Sequence, residues 1–305
     1  MKILIIGLGS IAQKHIRALR KLRPDAELYA LRSLKTAQKQ EGINDVYDIN
    51  ELEIGIIDFA IISNPTSIHL KTIKSLIPFN TPLFIEKPLF SEIGKDADQI
   101  IEEINNKGII TYVACNLRFL GCLQFIKEYL KNKRINEVNI YCGSYLPDWR
   151  VGRDYKTTYS ANKELGGGVH IDLIHEIDYV YWMFGKPQRV SKVFSNHSSL
   201  EISAYDYANY ILGYDNFNTS VILNYFRRDP KRTLEIVFED ETILVDIYKN
   251  KVYKNSDIIF DSEKTIMDTY EYQLQFFMDH VLATKKQFNT VNEAYEILKI
   301  CLEED

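Results

Sequence analysis

The chain has 305 residues, 46% of them hydrophobic and 26% charged, with a formal net charge of -5. That length exceeds what one hydrophobic core usually sustains, so two domains are expected, and the ordinary composition leaves little room for long disordered tracts. The acidic balance gives no electrostatic reason to hold a nucleic-acid backbone, and no segment approaches the length and apolarity of a membrane span.

Residues 2–6, 27–31, 58–62, 82–85 and 109–114 are short apolar runs of the kind that buried parallel strands show. The first superficially resembles a signal peptide, but Gly7 and Gly9 cut it far short of an apolar leader core. Residues 11–22, 66–75 and 91–105 have helical spacing, so strands and helices alternate and the sheet should be mostly parallel. The basic run Lys14, Arg17, Arg20, Lys21 and Arg23 reads as the solvated face of the first helix. After Phe119 a helix near 124–131 leads into longer, alternating strands at 138–145, 189–194, 206–214, 218–226, 232–238 and 242–248, with polar turns such as Asp215-Asn216. One long helix is expected over 169–184, stopped by Gly185 and Pro187, and helices near 269–284 and 292–302 follow. Cys115, Cys122, Cys142 and Cys301 show neither a C-x-x-C pair nor metal-ligand spacing, so no disulfide framework and no metal site are indicated and a reducing cytoplasm fits.

The first strand runs into Gly7-Leu8-Gly9-Ser10-Ile11-Ala12, a G-x-G-x-x-A pattern that opens a helix. Gly7 permits the tight turn, Gly9 lets a pyrophosphate approach the backbone, and Ala12 keeps helix and strand close. In this strand-turn-helix context the pattern points to dinucleotide binding. The fold class is therefore α/β, with an N-terminal Rossmann domain over 1–118 and a C-terminal α+β domain over 119–305 that has an open, mostly antiparallel sheet. The last helices are free to pack back on the first domain. After the second strand, where an acidic residue would bind the ribose hydroxyls of NAD, stand Leu31-Arg32-Ser33 and then Lys35. Arg32 and Ser33 suit a 2′-phosphate, so NADP(H) is favoured over NAD(H).

Glu86-Lys87-Pro88 follows the strand at 82–85, at the carboxyl end where ligands sit in open α/β sheets. Asn64-Pro65-Thr66 occupies the equivalent place after the preceding strand, with His69 one turn on. Further along, Gly166-Gly167-Gly168 leads into Val169-His170-Ile171-Asp172-Leu173-Ile174-His175, where Asp172 and His175 are three apart and project from one face of a helix. His175-Glu176 does not complete H-E-x-x-H, because Tyr179 takes the second histidine's place.

Together, G-x-G-x-x-A, Glu86-Lys87-Pro88, Asn116-x-Arg118 and GGG-x-x-x-Asp172-x-x-His175 resemble the Gfo/Idh/MocA oxidoreductases, named after glucose-fructose oxidoreductase and inositol dehydrogenase. The resemblance spans essentially the whole chain. It implies hydride transfer between NAD(P) and a hydroxyl or keto carbon of a sugar, cyclitol or sugar nucleotide, and a homodimer or homotetramer formed through the sheet domain. It assigns Lys87, Asp172 and His175 to catalysis and implies a cis peptide bond before Pro88. The dinucleotide would then meet Gly7, Gly9, Ser10, Ile11, Ala12, Arg32, Ser33, Asn64, Pro65, Thr66, His69, Glu86, Lys87 and Pro88. Where many members have glycine before the first strand of the second domain, this chain has Asn136, which tolerates the same left-handed conformation. The segment from Tyr145 to Tyr155 resembles members tied to sugar-nucleotide and surface-polysaccharide pathways. Substrate is expected at Asn116, Arg118, Trp149, Arg150 and Arg153. His175 is the expected general acid/base, since its ordinary pKa lies nearest neutrality, with Lys87 polarising the oxygen and Asp172 orienting the sugar or His175. A sensor that binds NAD(P) without turnover, and a redox-assisted glycosidase or lyase, are the competing readings.

Overall fold

A computed structural model describes residues 1–36, 38–51 and 57–303, which divide into two compact units, Met1–Asn116 with Tyr270–Leu302, and Leu117–Thr269. In the first unit the chain forms β1 (Lys2–Ile6), α1 (Ser10–Leu22), β2 (Glu27–Leu31), β3 (Ile43–Val46), β4 (Phe59–Ile62), α2 (His69–Leu76), β5 (Leu83–Glu86), α3 (Lys95–Lys107) and β6 (Thr111–Ala114). The six strands make one parallel sheet in the order β3-β2-β1-β4-β5-β6. Every residue of β4, β5 and β6 is buried, as expected of strands covered on both faces. The chain leaves β1 towards β2 on one side and returns as β4 on the other, so the carboxyl ends of β1 and β4 flank a topological switch point.

The second unit contains α4 (Gly121–Tyr129), β7 (Ile135–Tyr145), α5 (Val169–Asp172), α6 (His175–Phe184), β8 (Arg189–Ser195), β9 (Tyr207–Gly213), β10 (Asn218–Asn224), β11 (Phe226–Phe238), β12 (Thr242–Asp246), β13 (Lys251–Lys254) and β14 (Asp257–Asp261). Its eight strands run in the order β14-β13-β12-β11-β7-β10-β9-β8, antiparallel except for the β7–β10 pair. The expected helix over 169–184 is interrupted: Leu173, at φ -98 and ψ 30, ends α5, and α6 starts at His175. Asp172 and His175 thus stand on either side of a break, and not on one continuous helical face. Asn136 lies inside β7, where its amide donates to the Phe238 carbonyl at 3.0 Å, and a left-handed asparagine just before that strand is Asn132, at φ 61.

The chain returns to the first unit through α7 (Thr269–Phe276) and α8 (Val291–Leu302). Phe277 fits edge-on against Phe59 and Phe84, and the Asn289 amide donates to the Val113 carbonyl, so the C-terminal segment completes the core over β4 to β6. The basic run of α1 is engaged here rather than merely solvated. Lys21 pairs with Glu271, Arg23 with Asp279, and Arg20 donates to the Ala26 and Gly42 carbonyls. Three short strands, β3, β13 and β14, carry too few alternating apolar residues to stand out in the sequence.

Candidate active site

At the switch point, Gly7 adopts φ +89 and packs so closely on β4 that a Cβ there would lie 2.6 Å from the Asn64 backbone nitrogen. Ser63 reinforces the approach by donating its hydroxyl to the Gly7 carbonyl at 3.0 Å. A Cβ on Gly9 would meet nothing within 4 Å. Gly9 is also the N-cap of α1, which has no side-chain cap and no acidic residue in its first turn, while Ala12 is fully buried beneath it. The residues therefore fit a dinucleotide pyrophosphate: bare backbone, uncapped helical N–H groups and the positive end of a helix dipole. Ser10 and Ile11 form the first turn of this helix.

Arg32 follows β2, but its guanidinium is already engaged, with Nη1 donating to Asp45 of β3 at 3.0 Å and Nη2 to the Gln38 carbonyl at 3.1 Å. No carboxylate directly follows β2 in the sequence itself. Tertiary pairing of β2 with β3 supplies one from thirteen residues away.

At the end of β5, Glu86 is nearly buried, and its Oε1 meets His15 Nε2 at 2.5 Å while Oε2 accepts the Lys87 backbone N–H at 3.2 Å. The helix that opens at Gly9 is thereby tied to the turn that carries Lys87. The Lys87–Pro88 peptide is cis. His69 clamps the same turn from α2: its ring is buried, with Nδ1 3.1 Å from the Pro88 carbonyl and Nε2 3.0 Å from the Asn64 carbonyl. Burial pushes the His69 pKa down, so the ring is neutral near pH 7. His69 and Glu86, expected to contact the dinucleotide, thus hold the strand ends in place, and Asn64 itself donates to Thr72 at 2.8 Å. Lys14 is half-buried, with its ammonium 3.3 Å from the Tyr270 hydroxyl. Burial lowers its pKa against the opposing pull of Glu86, so it is not an ordinary solvated lysine.

In the second unit, Asp172 ends α5 with its Oδ2 accepting the Tyr225 hydroxyl at 2.5 Å, and the Tyr159 hydroxyl also binds the carboxylate. Burial, then Asp172, raises the pKa of both tyrosines, so both remain protonated donors. The ring of Trp149 sets its edge on Tyr225 at 5.2 Å, and its indole N–H donates to Ser144 at 2.9 Å. Arg150 and Trp149 line a small cleft with Tyr155, Thr158 and Ser160, while Arg153 is exposed on the following loop. Arg118, expected to touch substrate, is 1% exposed and forks onto Asp178 of α6 at 2.7 and 2.9 Å. It fixes α6 instead, as a buried bidentate pair. Asn116 is likewise buried. Tyr159, Tyr225, Ser160 and His15 carry no signal in the sequence, since each is a single polar residue without a motif, and only the three-residue spacing of His15 from Ala12 ties it to the glycine turn.

Residues 1–115 match the family model described as the oxidoreductase family, NAD-binding Rossmann fold, and residues 123–244 match that of the GFO/IDH/MocA C-terminal domain. Levoglucosan dehydrogenase of Pseudarthrobacter phenanthrenivorans is 24% identical over 149 residues, 48% of this chain but only 37% of that relative. Two solved structures share the fold: UDP-N-acetylglucosamine 3-dehydrogenase GnnA from Acidithiobacillus ferrooxidans (TM-score 0.80, 16% identity, 99% of this chain and 95% of that one) and the WlbA dehydrogenase from Bordetella pertussis in complex with NADH and UDP-GlcNAcA (TM-score 0.77, 16% identity, 98% and 93%).

Proposed function

The chain belongs to the GFO/IDH/MocA oxidoreductase family, and from that premise we propose that it is an NAD(P)-dependent dehydrogenase acting on a CH–OH group of a sugar, cyclitol or sugar nucleotide. The observation that carries this reading is the pairing of an open glycine cradle at Gly9 with a lysine braced at the adjoining strand end through Glu86 and His15. A bound nicotinamide would supply the hydride chemistry. The chain's own residues do the rest. His175 moves the hydroxyl proton, Lys87 stabilises the charge on the reacting oxygen, and Asp172, held by two tyrosines, keeps an acceptor in fixed position. Trp149, Arg150 and Arg153 offer an aromatic edge and cationic donors on one loop, which suits the diphosphate of a sugar nucleotide. NADP(H) is favoured by Arg32 and Ser33, though Asp45 shares the guanidinium and keeps the preference modest.

Intact Lys87, Asp172 and His175 weigh against a sensor without turnover. The test is a screen of free sugars, cyclitols and sugar nucleotides followed at the nicotinamide absorbance, with product analysis to catch a reaction that recycles the nicotinamide. His175→Ala and Lys87→Met should each lower turnover by roughly 10²-fold or more. Unchanged turnover in either variant removes that side chain from the mechanism. The four buried thiols suit a reducing cytoplasm.

A further inference from the structure

Resting on the dehydrogenase reading, we propose that His15 is a positioning residue of the reaction: through Glu86 it fixes the backbone at Lys87, so that the helix opening at the glycine cradle also sets where the reacting amine stands. His15 lies on the inner face of α1, fully buried, with Ala12, Ile16 and Leu19. Phe84 and Tyr270 enclose its ring in edge-on contacts, with centroids 5.1 and 5.8 Å away. Nothing in this aromatic and aliphatic packing calls for an imidazole. One of its nitrogens is even left without a hydrogen bond, since Nδ1 is buried and has no partner among the described residues. An unpaired buried polar atom destabilises the fold. What the residue gains against that loss is one contact, Nε2 to Glu86 Oε1 at 2.5 Å. A carboxylate only accepts, so Nε2 carries the proton.

Glu86 ends β5 nearly buried, and each of its oxygens takes a donor. Oε1 accepts from His15, and Oε2 accepts the Lys87 backbone N–H at 3.2 Å. The two oxygens of a carboxylate share one rigid plane, so fixing the first on α1 aims the second at the Lys87 amide. Lys14, the preceding residue of α1, is drawn to the same carboxylate, and its ammonium lies 4.6 Å from the centroid of the Tyr270 ring. All of these residues belong to the first unit. Along α1 the rise from Gly9 to His15 is about 9 Å, less than two turns of helix. The path from the pyrophosphate cradle to Lys87 is thus a stretch of helix, one charge-assisted hydrogen bond and one buried side chain. Misplacing a reacting group by about 1 Å can slow chemistry roughly 10²-fold, which is the scale on which such a brace acts. His15 acts through Lys87 and not on the substrate.

The test compares wild type, His15→Leu, His15→Gln, Glu86→Gln and Lys87→Met with NAD+ and NADP+ on myo-inositol, levoglucosan and UDP-N-acetylglucosamine, with His15→Leu and Glu86→Gln also placed on Lys87→Met. His15→Leu should lower kcat at least about tenfold, with KM for dinucleotide and substrate changed by less than about threefold. His15→Gln should recover most of that loss, because its amide N–H has the reach of Nε2. Glu86→Gln keeps the shape of the side chain but offers one acceptor oxygen to two donors, so it should lower kcat as His15→Leu does. It tests the bridge even where His15→Leu does not fold. On Lys87→Met, neither change should lower kcat further by more than about twofold, since the bridge then has no amine to place. Wild-type kcat in His15→Leu or Glu86→Gln, a His15→Gln protein as slow as His15→Leu, or a further loss of about tenfold on Lys87→Met overturns the positioning role alone. No turnover by wild type overturns the dehydrogenase reading and the role of His15 with it.

Discussion

Single residues at the switch point separate folding from binding. Alanine at Gly7 would overlap the Asn64 backbone and force an L side chain to φ +89. Gly7→Ala should therefore cost more than the ~1–2 kcal/mol of the left-handed conformation alone, read as a lower urea midpoint. Gly9→Ala meets no protein atom, so its unfolding midpoint should stay at the wild-type value. The added methyl instead occupies the space left for a phosphate, and NADH affinity, followed by fluorescence, should drop about tenfold or more. A Gly9→Ala protein that binds NADH normally would show that the cradle is not the pyrophosphate site. Asp45 offers a second separation. Removing its charge in Asp45→Asn frees Arg32 for a 2′-phosphate and should raise the NADP/NAD ratio of kcat/KM by roughly tenfold, the effect of about 1.4 kcal/mol at one charged contact. A ratio that stays fixed or falls would place Arg32 outside the adenosine site.

Among the elements, the α5–α6 break is the most consequential, because it takes Asp172 and His175 off a common helical face and gives each its own terminus. Its first turn also carries a pH-sensitive group. His170 is buried against the rings of Phe194 and Tyr205, and burial, with a smaller push from Lys192, lowers its pKa to about 4. The unfolded chain protonates this side chain near 6.5, well before the folded one does, so stability is full above that pH and falls as pH drops towards about 4. His170→Phe removes the titration while keeping an aromatic ring, and should flatten the decline of Tm between pH 6.5 and 4. An equally steep decline in the variant would assign it to other groups. At the start of α6, Glu176 is fully buried and pairs with Arg232 of β11 at 2.6 Å, which pins the helix after the break to the sheet, while Asp178 ties it to Arg118 of the turn before α4.

At the scale of the whole molecule, one face of the eight-stranded sheet carries Val193, Ile211 and Leu244 exposed at 63%, 45% and 37%. In register they lie among half-exposed Ile222, Tyr141 and Tyr253. Exposed aliphatic side chains on this face, interleaved with polar Asn209, Ser220 and Glu235, are expected to be covered in part by a second copy of the chain. Ile211→Lys should shift the molar mass measured by light scattering towards the monomer, and an unshifted dimer or tetramer would exclude this face as the contact. No helix among the described residues is long and apolar enough to cross a membrane. The sequence by itself determined the fold class, the glycine turn and the strand end at Lys87, because each is written in contiguous residues whose spacing reports local backbone geometry, whereas the helical spacing of Asp172 and His175 missed the break between them. Only the tertiary structure decided what those groups touch. Asp45 reaches Arg32, Asp178 takes Arg118, His15 braces Glu86 and Tyr225 holds Asp172 across gaps of 13 to 71 residues. Strand pairing and side-chain packing create such contacts, and no local periodicity encodes them.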